Sequence, residues 1–68
     1  MKLIINNKET ELKGYDRIDV PGLLHEIGYD STVIMVKVNG RLIKKAEQEG
    51  FFVNPGDDVI AVPLVGGG

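Results

Sequence analysis

The sequence predicts a two-layer α+β domain in which a mixed sheet of four to five strands packs against one helix. Three observations predict this fold class: short apolar runs separated by turn residues, one stretch with helical spacing of apolar residues, and a length of only 68 residues. A chain this short forms one domain and leaves little material for an enclosed pocket beside its core. We therefore expect a protein that is not an enzyme and has no catalytic residues of its own.

The first predicted element is a β-hairpin. Lys2-Leu3-Ile4-Ile5 is a short β-branched apolar run, and the turn residues Asn6-Asn7 end it. Glu9-Thr10-Glu11-Leu12 follows with the alternating polarity of a return strand. Two strands joined by an Asn-rich turn are the natural interpretation.

A short amphipathic helix is predicted next. Asp19 is a suitable N-cap, Pro21 is tolerated in a first helical turn, and Gly28 provides a C-terminal stop. Between them, apolar residues recur at helical spacing: Val20, Leu23, Leu24 and Ile27. So short a helix is stable in water only when it packs against another element, so it is expected to cover the sheet.

The second half of the chain predicts three more strands. Thr32–Val38 is a strand that ends at Asn39-Gly40, a strong hairpin dipeptide, with Arg41–Ile43 as the return. The polar stretch Lys44–Glu49 is expected to form a helical turn that Gly50 breaks.

The turn Asn54–Asp57 then precedes a final strand, Val59–Val65. The predicted order is β-β-α-β-β-β. The folded domain is expected to span residues 1–65, and residues 66–68 are expected to be a flexible glycine tail.

Alternation along two predicted strands separates an inner from an outer face. In the strand 32–38, one face holds Ile34, Val36 and Val38, and the other holds Val33, Met35 and Lys37. Because an unpaired lysine is rarely buried, the face of Lys37 is expected to meet solvent. Asp58 marks the solvent side of the last strand by the same reasoning. This leaves Ile60, Val62 and Leu64 outside, and Val59, Ala61, Pro63 and Val65 toward the helix.

If these two strands are neighbours, the outer face carries an apolar patch. Its predicted members are Val33, Met35, Ile60, Val62 and Leu64, with Ile4 as a further candidate. An exposed patch of this kind usually marks a protein interface, so these residues are candidates for partner binding. The alternative is that a register shift or a bulge buries more of the patch than strict alternation implies.

Composition excludes several classes of function. Eight basic and ten acidic residues give a formal charge of −2, which offers no basic footprint for nucleic acid. Cysteine is absent, and the adjacent Asp57 and Asp58 lack further ligands for a hard cation, so no metal site is expected. The longest apolar run is far too short to span a bilayer and no signal peptide is visible, so a cytoplasmic protein without membrane contact is expected.

Three segments carry a resemblance to a known family. The run Gly56-Asp57-Asp58-Val59, the ending Leu64-Val65-Gly66-Gly67-Gly68 and the hairpin Val36-Lys37-Val38-Asn39-Gly40 occur in order along the chain. Together they resemble the ThiS/MoaD sulfur carriers of the ubiquitin-like β-grasp superfamily. The resemblance covers nearly the whole chain and implies a β-grasp fold.

The resemblance also implies a mechanism and partners. An E1-like adenylyltransferase of the ThiF/MoeB type would adenylate the terminal carboxylate with ATP and magnesium, and the carrier itself would bind no cofactor. A sulfur donor such as a cysteine desulfurase would then supply sulfur for a thiocarboxylate. A thiazole synthase of the ThiG type or the large subunit of molybdopterin synthase would receive it. By position, Gly68 would hold the reactive carboxylate, Gly67 would complete the diglycine and Gly66 would extend it.

The residues of the tail give a physical reason for this role. Three extended glycines reach about 10 Å, and without Cβ atoms they fit a channel too narrow for other side chains. The Asn6-Asn7 hairpin and the Val-Gly-Gly-Gly ending are more similar to the thiamine-thiazole carriers, whereas Pro63 is similar to the last strand of molybdopterin-synthase small subunits. The thiamine pathway is the preferred interpretation. A ubiquitin-like protein modifier and a plain interaction module remain the alternatives.

Overall fold

A computed structural model describes residues 1–29 and 33–63, with the side chains of residues 33 and 34 outside the description. The described residues form seven strands and two short helices: β1 (Lys2–Ile5), β2 (Lys8–Glu11), β3 (Ile18–Asp19), α1 (Val20–Glu26), β4 (Val33–Val38), β5 (Arg41–Leu42), α2 (Lys45–Gln48), β6 (Phe52–Val53) and β7 (Asp58–Pro63).

Five of the strands form one mixed sheet in the order β2-β1-β7-β4-β5. β1 and β7 are parallel, and the other neighbours are antiparallel. The predicted two-layer α+β class, with a mixed sheet of up to five strands against a helix, is therefore confirmed. β3 and β6 pair separately and were not predicted, because strands of two residues are too short to show a period.

Both predicted hairpin turns form with left-handed backbone. Asn6 and Asn7 have φ of 50° and 66°, and Asn39 and Gly40 have φ of 52° and 83°. Two consecutive left-handed residues match the twist of the flanking strands, and asparagine and glycine accept this conformation more readily than other residues. These turns fix the registers of β1 with β2 and of β4 with β5.

α1 begins and ends where its caps predict. The Asp19 carboxylate accepts a hydrogen bond from the Gly22 amide at 3.1 Å, and Gly28 adopts φ of 81° just after the helix. Lys45–Gln48 confirms the predicted helical turn before Gly50.

α1 packs its apolar side against the sheet to form one core. The core residues that are nearly or fully buried are Leu3, Ile5, Leu12, Ile18, Val20, Leu23, Leu24, Val36, Val38, Ile43, Val53, Val59 and Ala61. Burial of these side chains is the main stabilising term for so short a chain.

Candidate functional site

The candidate site consists of a predicted tail and a predicted sheet face. Gly66, Gly67 and Gly68 lie outside the described residues, as does Leu64. The structure does describe the strand that leads to them, β7, as far as Pro63. The predicted boundary between domain and tail at residue 65 thus stays a prediction. The predicted sheet face can be compared with the structure directly.

The two central strands of the face are neighbours, as the prediction required. β4 and β7 are antiparallel, with Met35 opposite Val62 and Lys37 opposite Ile60. All four side chains are partly buried. Residues directly opposite each other lie on the same face of a sheet, so these four residues form a continuous surface.

The inner face also agrees with the predicted alternation. Val36 is opposite Ala61 and Val38 is opposite Val59, and all four are buried. Since neighbouring residues on a strand point to opposite faces, the burial of these positions places Met35, Ile60 and Val62 on the outer side. The orientation of both strands was therefore predicted correctly from Lys37 and Asp58.

A β-bulge interrupts the alternation near the end of β4. Val33 pairs with Pro63 and Met35 with Val62, so two steps along β4 match one step along β7. A bulge was the alternative to strict alternation in the sequence analysis. Because of it, the alternation of side chains between the two faces does not extend to Val33. The side chain of Val33 lies outside the description.

The outer face is wider than the two central strands. Ile4 in β1 is 40% exposed and lies in register with Asp58, and Leu42 in β5 is 48% exposed and lies opposite Lys37. Leu42 was missed by the sequence prediction. The signal was present, because the two-residue turn after Val38 pairs Lys37 with Leu42 and so places both on one face.

We call this surface the outer face and define it by six side chains: Ile4, Met35, Lys37, Leu42, Ile60 and Val62. Charges of both signs surround it. The register sets Glu9 and Asp58 on either side of Ile4, Lys2 is on the same face of β1, and Lys37 lies between Ile60 and Leu42. An apolar centre with charges around it is suited to a partner of complementary charge.

The end of β7 is held by an asparagine side chain from the first hairpin. The Asn6 Oδ1 accepts a hydrogen bond from the Ala61 amide at 2.8 Å, and the Asn6 Nδ2 donates one to the Ala61 carbonyl at 3.0 Å. The backbone amide of Asn6 also donates to the Val59 carbonyl at 2.9 Å. Nothing in the sequence indicated this contact, which joins residues 55 positions apart.

Asp57, the other candidate functional group in the described residues, has a structural role. The Asp57 carboxylate accepts hydrogen bonds from the Asn54 amide at 2.8 Å and from the Asn39 side chain at 3.1 Å, which closes the turn before β7. Within residues 1–29 and 33–63, no three His, Asp or Glu residues are grouped so that they could hold a metal ion. Neither helix among those residues has the length and apolarity to cross a bilayer.

Comparison with known proteins finds a family match over almost the whole chain. The model of the ThiS family matches residues 3–68, a range that includes the three terminal glycines.

Two solved structures are similar over the full length of the chain. A crystal structure of the thiamine biosynthesis protein ThiS from Geobacter metallireducens has a TM-score of 0.84 at 27% identity, with each chain covered completely. A solution structure of a thiamine biosynthesis protein from the same organism has a TM-score of 0.83 at 26% identity and covers 88% of that chain.

A curated relative is much longer. The chain is 35% identical over 68 residues to a thiazole synthase of Paramagnetospirillum magneticum and spans about one fifth of that protein's length. The similar segment is therefore a minor part of that polypeptide.

Proposed function

The chain belongs to the ThiS family of β-grasp sulfur carriers, and we propose that it carries sulfur as a thiocarboxylate on Gly68 for thiazole formation in thiamine biosynthesis. The observation that carries the proposal is the family match, which includes the terminal glycines as well as the fold. The two ThiS-type structures support the same pathway, because they match the chain over its whole length at more than a quarter identity.

The first proposed step activates the Gly68 carboxylate. A carboxylate is a poor acyl donor because its leaving group would be an oxide. An E1-like adenylyltransferase of the ThiF/MoeB type supplies ATP and magnesium; a carboxylate oxygen attacks the α-phosphorus, and pyrophosphate leaves. The resulting acyl adenylate carries a phosphate leaving group, and the magnesium ion offsets the charge that develops on the phosphates.

The second proposed step introduces sulfur. The terminal sulfur of a persulfide, held by a donor such as a cysteine desulfurase, attacks the acyl carbon and AMP leaves. The product is an acyl disulfide, and a thiol must then reduce its S–S bond to release the thiocarboxylate. This chain has no cysteine, so both the persulfide and the thiol come from partners.

In this scheme the chain positions a carboxylate and does no chemistry itself. Gly66 and Gly67 form the slender segment that enters a partner's channel, and Gly68 presents the reacting group. The outer face is the proposed docking surface, with Met35, Ile60 and Val62 at its centre. A complementary partner surface has an apolar centre and charged groups around it.

The proposed acceptor of the sulfur is a thiazole synthase of the ThiG type. A protein named thiazole synthase contains a segment similar to this chain over one fifth of its length. A carrier-like segment inside such a polypeptide favours direct contact between carrier and synthase. ATP-dependent activation favours the cytoplasm as the compartment.

Loading of the tail tests the proposal. The full chain is incubated with an E1-like adenylyltransferase, magnesium ATP, a persulfide donor and a thiol, and its intact mass is measured. We expect the mass to rise by the difference between one sulfur and one oxygen atom. A chain that lacks Gly67 and Gly68 should remain unchanged, and failure of the intact chain to gain sulfur would refute the carrier function.

Two outcomes would point to the alternatives. Lysine-linked conjugates in place of the sulfur adduct would identify a protein modifier. If the loaded chain is captured by the large subunit of molybdopterin synthase and not by a thiazole synthase, the pathway is wrong although the carrier chemistry stands.

A further inference from the structure

We propose that Asn6 is a positioning residue that fixes residues 61–63 of β7, and thereby directs the glycine tail into the activating partner. This inference rests on the proposed carrier function. At residues 61–63 of β7, the Asn6 side chain takes the place of a neighbouring strand.

β1 ends before β7 does. Ile5 is the last residue of β1, and it lies in register with Val59, so Ala61 and Pro63 extend past the strand on that side. On the opposite side β4 still pairs with β7 as far as Pro63. Without another contact, the end of β7 would be held along one edge only.

The Asn6 side chain supplies that second contact. Its amide has a donor and an acceptor side by side, as a peptide group does, and it bonds both backbone groups of Ala61 at 3.0 and 2.8 Å. Ala61 is 1% exposed with Asn6 in place, and the Asn6 amide is itself partly buried, so the two backbone groups are shielded by this contact. A partly buried pair of this kind is stabilising chiefly because its loss leaves two backbone groups without partners.

The orientation of Asn6 is itself fixed by local structure. Its backbone has φ of 50° in the turn after β1, and its own amide donates to the Val59 carbonyl at 2.9 Å. The Tyr29 hydroxyl lies 3.4 Å from Nδ2 and adds a third contact. Tyr29 is anchored in turn by its amide, which donates to the Leu24 carbonyl at 2.7 Å.

Pro63 needs no hydrogen-bond acceptor on this edge of β7. Backbone groups alternate in direction along a strand, so the nitrogen of Pro63 faces the same side as the amide of Ala61. β1 has already ended on that side, and a proline there leaves no amide without a partner. Within residues 1–29 and 33–63, the Asn6 contact at Ala61 is therefore the last hydrogen bond on this edge of β7.

For loading, the Asn6 contact defines the position from which the segment to Gly68 starts. Five residues follow Pro63, and an extended segment of that length reaches about 17 Å at most. With the outer face docked, the position and direction of residues 61–63 determine whether Gly68 meets the α-phosphorus of ATP. Loss of the Asn6 contact should affect the alignment of the carboxylate and leave docking intact.

Asn6→Gly and Asn7→Gly form a matched pair for the test. Both positions have positive φ, which glycine accepts without strain, and both lie in the same turn. In the described part of the chain, Asn7 is exposed and makes no side-chain hydrogen bond, so its substitution changes the turn without touching β7. The difference between the two variants isolates the contacts of the Asn6 side chain, which are the pair with Ala61 and the longer one with Tyr29.

Hydrogen exchange and loading kinetics are measured on the full chain. We expect the Ala61 amide to exchange several-fold faster in Asn6→Gly than in the wild-type chain, and to be unchanged in Asn7→Gly. Adenylation of Asn6→Gly by the E1-like enzyme should show kcat reduced by about tenfold or more with KM unchanged, because small misplacements of a reacting group are costly. Asn7→Gly should load like the wild-type chain.

Asn6→Asp provides a second readout if the glycine variant does not fold. The charged carboxylate still accepts from the Ala61 amide but opposes the Ala61 carbonyl, so protection of this amide should be reduced at neutral pH. Below pH about 4 the protonated carboxyl group can donate in place of Nδ2, and protection should return.

The outcomes separate this inference from the carrier function. If the wild-type chain is not loaded, the carrier function fails. If the wild-type chain is loaded and both glycine variants load with the same kcat, or if Asn6→Gly changes KM alone, Asn6 does not position the tail and the inference is overturned.

Discussion

The two hairpin turns of this protein are built alike but hold opposite ends of the same strand in different ways. Asn6 and Asn39 have nearly the same backbone, with φ of 50° and 52°. The side chain of Asn39 accepts from the Asp58 amide at 2.9 Å at the exposed start of β7, whereas Asn6 bonds both backbone groups of Ala61 near its end.

The difference lies in the surroundings of the two turns. Around Asn39 the partners Asp57 and Asp58 are accessible to water, so water can replace a lost hydrogen bond. Around Asn6 the partner Ala61 is buried and the bonds to it are partly buried, so water replaces them less readily. The same kind of turn therefore makes exposed hydrogen bonds at the start of β7 and partly buried ones near Ala61.

Asn6→Ala should have the largest effect on stability. It removes both bonds to Ala61 and also places a Cβ-bearing residue without a polar side chain at φ of 50°, so we expect the free energy of unfolding to fall by about 2–4 kcal/mol. Urea unfolding followed by circular dichroism measures it. Asn6→Gly should recover about 1 kcal/mol of that loss because glycine relieves the backbone strain. A loss below about 1 kcal/mol for Asn6→Ala would show that the hold on Ala61 contributes little.

Val62→Asp tests the other property of this end of β7, its outer face. A carboxylate in the apolar centre should weaken binding of the E1-like partner by about tenfold, which is roughly 1.4 kcal/mol. Because Val62 is only partly buried, the free energy of unfolding should change by less than about 1 kcal/mol. Binding is measured by calorimetry and stability by urea unfolding.

Phe52→Asp is the matched control for this prediction. Phe52 is 41% exposed in β6, outside the five-stranded sheet, where the Arg17 guanidinium lies 4.1 Å from its ring centroid. This substitution introduces the same charge on another surface and should leave partner affinity unchanged. Equal losses for both variants would argue against the outer face as the docking site, and unfolding of Val62→Asp would mean that this face packs more tightly than its exposure indicates.

Asn39→Ala tests the turn at the start of β7. Strain at φ of 52° should cost about 1 kcal/mol, and the lost bonds to Asp57 and Asp58 should add little because both are exposed and water replaces them. Loading should be unaffected, since the exit of the tail is remote. A decrease in kcat as large as that of Asn6→Gly would show that loading follows general stability and not the geometry at Ala61.

Local signals in the sequence predicted much of this fold. Asp19 and Gly28 predicted the ends of α1, and Asn39-Gly40 predicted the turn that fixes β4 against β5. Lys37 and Asp58 were sufficient to orient the two central strands, because a lysine or aspartate is rarely buried without a partner. These inferences succeeded because each depends on neighbours in the chain.

Features that depend on distant neighbours were not predictable in the same way. β3 and β6 exist because Ile18 and Val53 are brought together by the fold, and two residues show no period. Leu42 required the register of β5 in addition to its polarity. The contact of Asn6 with Ala61 required the parallel pairing of β1 with β7, which no local pattern determines.

Asn7→Gly should have the smallest effect and decides how the others are interpreted. Asn7 has φ of 66°, is exposed, and makes no side-chain hydrogen bond within the described residues, so glycine preserves the turn and removes nothing that β7 needs. Greater freedom of the unfolded chain should lower the free energy of unfolding by about 0.5 kcal/mol or less. The Ala61 amide should retain its protection in hydrogen exchange. If Asn7→Gly instead destabilises the protein as much as Asn6→Gly, the conformation of the turn and not the Asn6 amide would be what holds the end of β7.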